Sequence, residues 1–470
     1  MSADPHLLNV PSREHTVGRR LGRALVVVAT LLVVSAASIA FALRVTPERT
    51  VTALGQTVEV GAAAPTWSVE GPGQIDLFGQ SLPTQVRFIG PVRPRLVLTD
   101  ISINEQVAGL FSPGPHAPVA DTLGAALASG WRWYFAYEIA FVALAAVLLL
   151  GAIAGWRRYP HRKTILVILG GLLFVEAVNL GAIMVTAFTA PGILRDVRSL
   201  DELVGRTPQP PVAAAHGPTD PSVQAIVLGD STAAGLGGPP LPDASHRDQS
   251  CQRSSFAFAV TLARVNDWNV DNLSCSGATI PDGVVGPQFA GGIRIPPQLA
   301  VAKRAVKAKA VIVNVGANDL RWNTLIRLCA VADSCDNKAL TAFFQHSLVS
   351  FTQDYLGLLR QLASLPGDPV IVINQYYAPF DPSSECLAPS GLTAEKIRVL
   401  LDRLDTLNEA LANGATTFGY ETAQPDFTGH ELCTEQSYVQ GANDPAPLHP
   451  NARGQLAIAL EDERALLGAM

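Results

Sequence analysis

The sequence predicts an α/β domain built on a mostly parallel sheet, preceded by three apolar helices and a small all-β unit. Three observations carry this expectation. From Val223 onward, short β-branched runs alternate with longer helix-like ones, the pattern of a parallel sheet with helices on both faces. Before residue 190 lie three long apolar runs, each near the ~20 residues needed to cross a bilayer. Between the first two, Arg44–Gly130 breaks into short β-prone runs divided by Gly and Pro, the signature of a small β unit.

The apolar runs explain an unusual composition. Of 470 residues, 48% are hydrophobic and only 16% charged, with a mean hydropathy of +0.24. Ala24–Leu43 is uncharged and follows Arg19, Arg20 and Arg23; Ile139–Trp156 precedes Arg157, Arg158, His161, Arg162 and Lys163. Thr164–Phe188 is interrupted by Glu176 and Asn179, which share a helix face and read as polar glue between helices. Basic clusters mark cytoplasmic loops. The N-terminus is therefore expected inside, with Arg44–Gly130 and everything after Phe188 outside, in a multi-pass cell-membrane protein. Ala24–Leu43 also carries a small-x-small site, Ala40-Phe41-Ala42, as a cleaved signal peptide would. Its length exceeds the 7–15 residues of a usual signal core, which favours an uncleaved anchor.

The expected units are 1–43 (cytoplasmic tail and first membrane helix), 44–131 (outer β unit), 132–190 (membrane hairpin), 191–220 (linker) and 221–470 (α/β domain). In the β unit the candidate strands are Thr50–Thr52, Thr57–Val60, Gln85–Ile89, Arg95–Thr99 and Ile101–Ile103. In the linker, Pro208, Pro210 and Pro211 oppose regular structure. The alternating segments are Val223–Leu228, Phe256–Val265, Trp268–Leu273, Pro297–Val306, Ala310–Val315, Leu340–Leu365, Val370–Asn374, Thr393–Asn413, Thr416–Tyr420 and Asn451–Leu467.

Four short blocks in the last domain carry chemistry. Gly229-Asp230-Ser231-Thr232-Ala233-Ala234-Gly235 follows the first strand-like run, so Ser231 falls at the carboxyl end of a strand, the ligand edge of an open sheet. Ser274-Cys275-Ser276-Gly277-Ala278 and Gly316-Ala317-Asn318-Asp319 follow two further runs, and Leu448-His449-Pro450-Asn451 opens the last helical segment. A serine hydroxyl needs a base before it is a competent nucleophile, and His449 is the candidate. Gly277 lets a ligand approach the main chain closely. Asn318 offers a neutral N–H donor. Taken singly, Ser231 also reads as a helix cap, Asn318-Asp319 as a turn pair, and His449 as a loop residue. Their joint order outweighs those separate readings.

These blocks resemble the SGNH (GDSL-type) hydrolases over about half the chain. The resemblance implies a flavodoxin-like three-layer fold and a serine esterase or lipase that uses no cofactor. It implies Ser231 as nucleophile and His449 as base, with the Ser231 N–H, the Gly277 N–H and the Asn318 amide as oxyanion donors. One position departs. The family carries an Asp three residues before its His, where this chain has Ala446. Either Asp444 reaches the imidazole across Pro445 and Pro447, or a backbone carbonyl holds Nδ1–H in a Ser–His dyad; the stiffness of the two prolines favours the carbonyl.

Six cysteines, all between Cys251 and Cys433, fit disulfides in an oxidising compartment. Six allow 15 connectivities. Resemblance to secreted actinomycete-type GDSL lipases implies Cys251–Cys275, Cys329–Cys335 and Cys386–Cys433. His246, His346 and His430 show no metal-ligand spacing, so no metal is expected. A net charge of −6 without a basic stripe outside the membrane flanks disfavours nucleic-acid binding. The expected partner is an ester, either a lipid or an acylated glycan. An acyltransferase would share the acyl-enzyme chemistry, and a catalytically weak envelope-binding protein is the rival from another class.

Overall fold

A computed structural model of the chain describes residues 13–53, 56–64, 68, 70–90, 92–101, 117–194 and 211–469. Most of the expected linker, and Ser102 and Ile103 of the last β-prone run, lie outside the described residues.

Helix α1 (Arg13–Val45) leads into a five-stranded sheet of β1 (Arg49–Ala53), β2 (Gln56–Ala62), β3 (Glu70–Leu77), β4 (Gln80–Ile89) and β5 (Pro94–Ile101). Its spatial order is β1-β2-β5-β3-β4, antiparallel except where β3 lies parallel to β5. Two corrections to the sequence reading arise here. Strand β3 was not expected, because Gly71, Pro72 and Gly73 interrupt its apolar alternation; a bulge between Pro72 and Gln74 absorbs them. Arg95–Thr99 and Ile101 belong to one strand rather than two.

Helices α2 (Ala117–Trp156) and α3 (His161–Leu194) follow as a hairpin. Among the described residues, three helical stretches, Leu21–Val45, Ala126–Trp156 and His161–Phe188, are long and apolar enough to cross a membrane. The second begins well before Ile139, because Arg132 and Glu138 hid its first turns from a search for uncharged runs. Glu138 is fully buried, and its carboxylate accepts a hydrogen bond from Asn179 Nδ2 on α3 at 3.0 Å. Asn179 is thus an interhelical polar contact, with a partner that the sequence did not disclose.

The remaining described residues form a three-layer α/β domain. Strands β6 (Ala225–Gly229), β7 (Val270–Asn272), β10 (Ala310–Asn314), β11 (Val370–Asn374) and β12 (Glu421–Ala423) make a parallel sheet in the order β12-β11-β10-β6-β7. A separate small hairpin pairs β8 (Gln288–Ala290) with β9 (Ile293–Ile295). The helices are α4 (Ser231–Ala234), α5 (His246–Cys251), α6 (Phe258–Asn266), α7 (Gln298–Ala302), α8 (Trp322–Val331), α9 (Lys338–Leu362), α10 (Ala394–Thr417) and α11 (Ala452–Ala469).

Period-two alternation fills both faces of the sheet. Ile226, Leu228, Val311, Val313, Ile371 and Ile373 join one core with α9 and α10. Ala225, Val227, Ala310, Ile312 and Val372 join the other with α6 and α11. Thr416–Tyr420 is not a strand: α10 runs on through Thr417, whose hydroxyl donates back to Asn413 O at 2.6 Å, and the strand starts at Glu421.

Candidate active site

The serine block is set by how β6 ends. A Cβ at Gly229 would lie 2.5 Å from Asn314 O, so only glycine lets the two strand ends come this close. The buried Gln298 amide brackets the same residue, accepting from Gly229 N–H at 2.8 Å and donating to its carbonyl at 2.9 Å. Asp230 caps α4 by accepting from Thr232 N–H at 2.8 Å. Its other oxygen accepts from Tyr376 Oη at 2.8 Å. Complete burial pushes the Asp230 carboxyl up. Gln455 fixes the far side of the turn by donating to Thr232 O at 2.7 Å. Ser231 therefore heads a helical turn that is held from four directions.

The glycine block is held against the same edge. Cys251 and Cys275 are paired, with Cα atoms 4.2 Å apart. The buried Arg253 donates to Ser274 O at 2.8 Å and Leu273 O at 3.1 Å. Gly277 then takes a left-handed conformation, φ +80°. The asparagine block joins it: Asn318 Nδ2 donates to Ala278 O at 2.9 Å, and Asp319 accepts from Ile280 N–H at 2.9 Å. Burial pushes the Asp319 carboxyl up to about 7. Ala317 N–H donates to Tyr376 Oη at 3.1 Å, so one phenol links the serine and asparagine blocks.

His449 comes from an irregular loop. Its Nε2 lies 2.8 Å from Ser231 Oγ, and its Nδ1 lies 3.1 Å from Pro447 O. A carbonyl can only accept, so this contact requires Nδ1–H and leaves Nε2 as the acceptor toward the serine. Leu448 reaches φ +69°, in the left-handed region that side chains rarely adopt. Its strained turn is tied down by Tyr377 Oη donating to Leu448 O at 2.8 Å. Asp444 is not brought to the imidazole: its carboxylate accepts from Gly441 N–H at 2.7 Å. Ala446 is buried, donating its N–H to Gln440 Oε1 at 3.2 Å.

Ser231, Asn318 and His449 line one cavity together with Trp322, Tyr376 and Leu407. Gly277 is not one of its walls; it adjoins through Ala278, whose carbonyl Asn318 binds. The supporting residues Gln298, Gln455, Arg253 and Tyr376 were missed in the sequence. Tyr376 had a usable signal, since it follows a strand at the ligand edge. The two glutamines had none, because a polar residue in a helix declares neither its burial nor its partner. The remaining cysteines pair as Cys329–Cys335 and Cys386–Cys433.

A parallel three-layer sheet with these blocks at its carboxyl edge defines an ester hydrolase of the SGNH fold. Residues 227–457, most of this domain and just under half of the chain, match the GDSL-like Lipase/Acylhydrolase family. Solved structures similar to this chain include phospholipase A1 from Streptomyces albidoflavus NA297, 23% identical over 53% of this chain and 99% of that one, with a TM-score of 0.41. The extracellular lipase from Streptomyces rimosus is 20% identical over 53% and 99%, TM-score 0.39. The lipase Lip_vut3 from a goat rumen metagenome is 17% identical over 52% and 97%, TM-score 0.30. No curated protein matches the chain.

Proposed function

We propose that this chain is a membrane-anchored, extracytoplasmic serine esterase that cleaves carboxylic esters through an acyl-serine intermediate. The observation that carries the reading is the 2.8 Å contact between Ser231 Oγ and His449 Nε2 at the carboxyl edge of the sheet. In the first step His449 Nε2 takes the hydroxyl proton as Ser231 Oγ bonds to the carbonyl carbon. The carbonyl oxygen becomes an oxyanion facing the Ser231 N–H, the Gly277 N–H and the second Asn318 amide hydrogen, the first being used on Ala278. Collapse expels the alcohol, which receives the proton from His449. Water then attacks the acyl-serine with His449 again as base, releasing the acid and restoring the hydroxyl. Pro447 O steadies the imidazolium that forms in both steps, the task a carboxylate performs in a triad.

Anchoring is supported by the outward apolar side chains of the long helices, among them Leu25, Val33, Leu148, Leu166 and Leu173, which would be costly in water over so large a patch. An outer location of the catalytic domain follows from the basic residues before the first span and between the other two. A membrane-impermeant fluorophosphonate applied to intact cells tests both halves of the reading. It should label the wild type and spare Ser231→Ala. Labelling only after lysis would refute the topology, and no labelling at all would remove Ser231 as the nucleophile.

A further inference from the structure

The β unit fixes which way the catalytic edge points. Its β3–β4 hairpin reaches from the apolar helices to the hydrolase. At the open end, Gly90 lies against Val185 and Thr186 of α3, and Thr186 Oγ1 donates to Val92 O at 2.6 Å. Trp131 of α2 adds a second tie, donating from Nε1 to Gly61 O at 3.0 Å. At the other end the hairpin turns through Phe78 and Gly79, both with positive φ. Ten residues of β4 at about 3.3 Å each make a strut of roughly 30 Å.

The tip is packed into the hydrolase. Phe78 is 2% exposed and meets Tyr355 edge-to-face, with ring centroids 5.5 Å apart. Ile75, Leu77 and Leu82 share that core with Leu411 and Ala415. A Cβ on Gly79 would come within 3.0 Å of Asn413 Nδ2. Tyr355 lies in the last third of α9, and Asn413 and Ala415 lie in the last turns of α10. Both helices run antiparallel to the strands and end where β11 and β12 begin. The strut therefore grips the amino edge of the sheet, and Ser231 and His449 sit at the opposite edge. The chain entering at Val212 is tied to that same amino edge, its N–H donating to Gln361 at 2.8 Å.

The cavity beside Ser231 is also small. It holds about 60 Å³, walled by Trp322, Tyr376, Leu404 and Leu407. At about 10–15 Å³ per water-sized group, this is room for roughly four to six such groups, enough for a short acyl group. Pockets for larger ligands measure about 300–1,000 Å³.

We infer that the substrate is a short-acyl ester met in the aqueous space beyond the anchored face, not the phospholipid of the bilayer that holds the helices. This rests on the serine-esterase reading above. A catalytic edge turned away from the anchored face is kept from a lipid ester of that bilayer, and the narrow cavity beside Ser231 suits a short acyl group better than a long chain.

The test uses the full chain in phosphatidylcholine vesicles. Fluorophosphonate labelling of Ser231 is scored first, and then hydrolysis of p-nitrophenyl acetate, butyrate, octanoate and palmitate and of the vesicle lipid itself. Labelled enzyme should favour acetate or butyrate over octanoate by about a hundredfold or more in kcat/KM, since each methylene that does not fit costs about tenfold or more. It should also leave the vesicle lipid intact. A labelled enzyme that prefers octanoate or palmitate, or releases fatty acid from the vesicles, overturns the inference while sparing the serine-esterase reading. Absence of labelling brings down both. Trp322→Ala should move the optimum to longer chains; an equal loss on all four esters would count against the pocket's role.

Discussion

The two sides of the candidate site are built differently. The serine side stands on strand ends, where Gln298, Gln455, Tyr376 and Asp230 hold a short helical turn through buried hydrogen bonds. The histidine side is a proline-bearing loop, turned by a left-handed Leu448 that Tyr377 ties down, with the imidazole itself braced by one backbone carbonyl. A sheet edge holds a nucleophile because its neighbours are fixed by the core. A loop lacks that support and needs separate ties, and here Tyr377 and the Pro447 carbonyl provide them without a carboxylate.

The largest effect should come from removing what joins the two sides. His449→Ala is expected to lower kcat by about 10⁵–10⁶, and adding Ser231→Ala should cost little more, because groups that act as a unit are not additive. A double variant a further thousandfold slower would show that the two side chains act independently.

Tyr376→Phe tests the serine side alone. Losing the phenol leaves Asp230 and the Ala317 N–H short of a partner and lets the two blocks drift. The expected result is a fall of about a hundredfold in kcat, the scale of a 1 Å misplacement, with KM changed far less. Unchanged kcat would mean that the sheet edge positions both blocks without this link.

Asp319 gives the same side a pH signature. Its folded-state carboxyl is pushed up to about 7 from 3.8, so between pH 4 and 7 the native state holds a proton that the unfolded state has released. Stability contributed by the neutral acid is thus lost as pH rises through that window and is level above it. Asp319→Asn mimics the protonated form, so in urea melts the variant should gain on the wild type from pH 4 to 7. A constant difference across the window would refute the assignment.

The smallest effect is expected on the histidine side. Asp444→Asn should change kcat by less than about threefold, against the roughly 10⁴ seen when a triad carboxylate is replaced. A loss above a thousandfold with the fold intact would restore Asp444 as the imidazole's partner.

By itself, the sequence determined the local matters. Val370–Asn374 was legible as a strand because a short β-branched run has few alternatives, and the three apolar stretches because length and hydropathy suffice. Ser231, Gly277, Asn318 and His449 stood out because three of their blocks are contiguous patterns just after strand-like runs and the fourth opens the last helical run. Strand β3 was not legible, since its Gly and Pro residues obey a bulge that only its neighbours β4 and β5 impose. Whether Nδ1 of His449 met Asp444 or a carbonyl depended on how Pro445–Leu448 folds, and the structure turns Asp444 to Gly441 and sets Pro447 O beside the ring. The buried pins Gln298, Gln455 and Tyr376, and the seating of Phe78 on Tyr355, join residues far apart in the chain. Such contacts exist only once the sheet has assembled, because burial, which makes a lone polar group costly and a matched pair rigid, is a property of the packed molecule and not of any one segment.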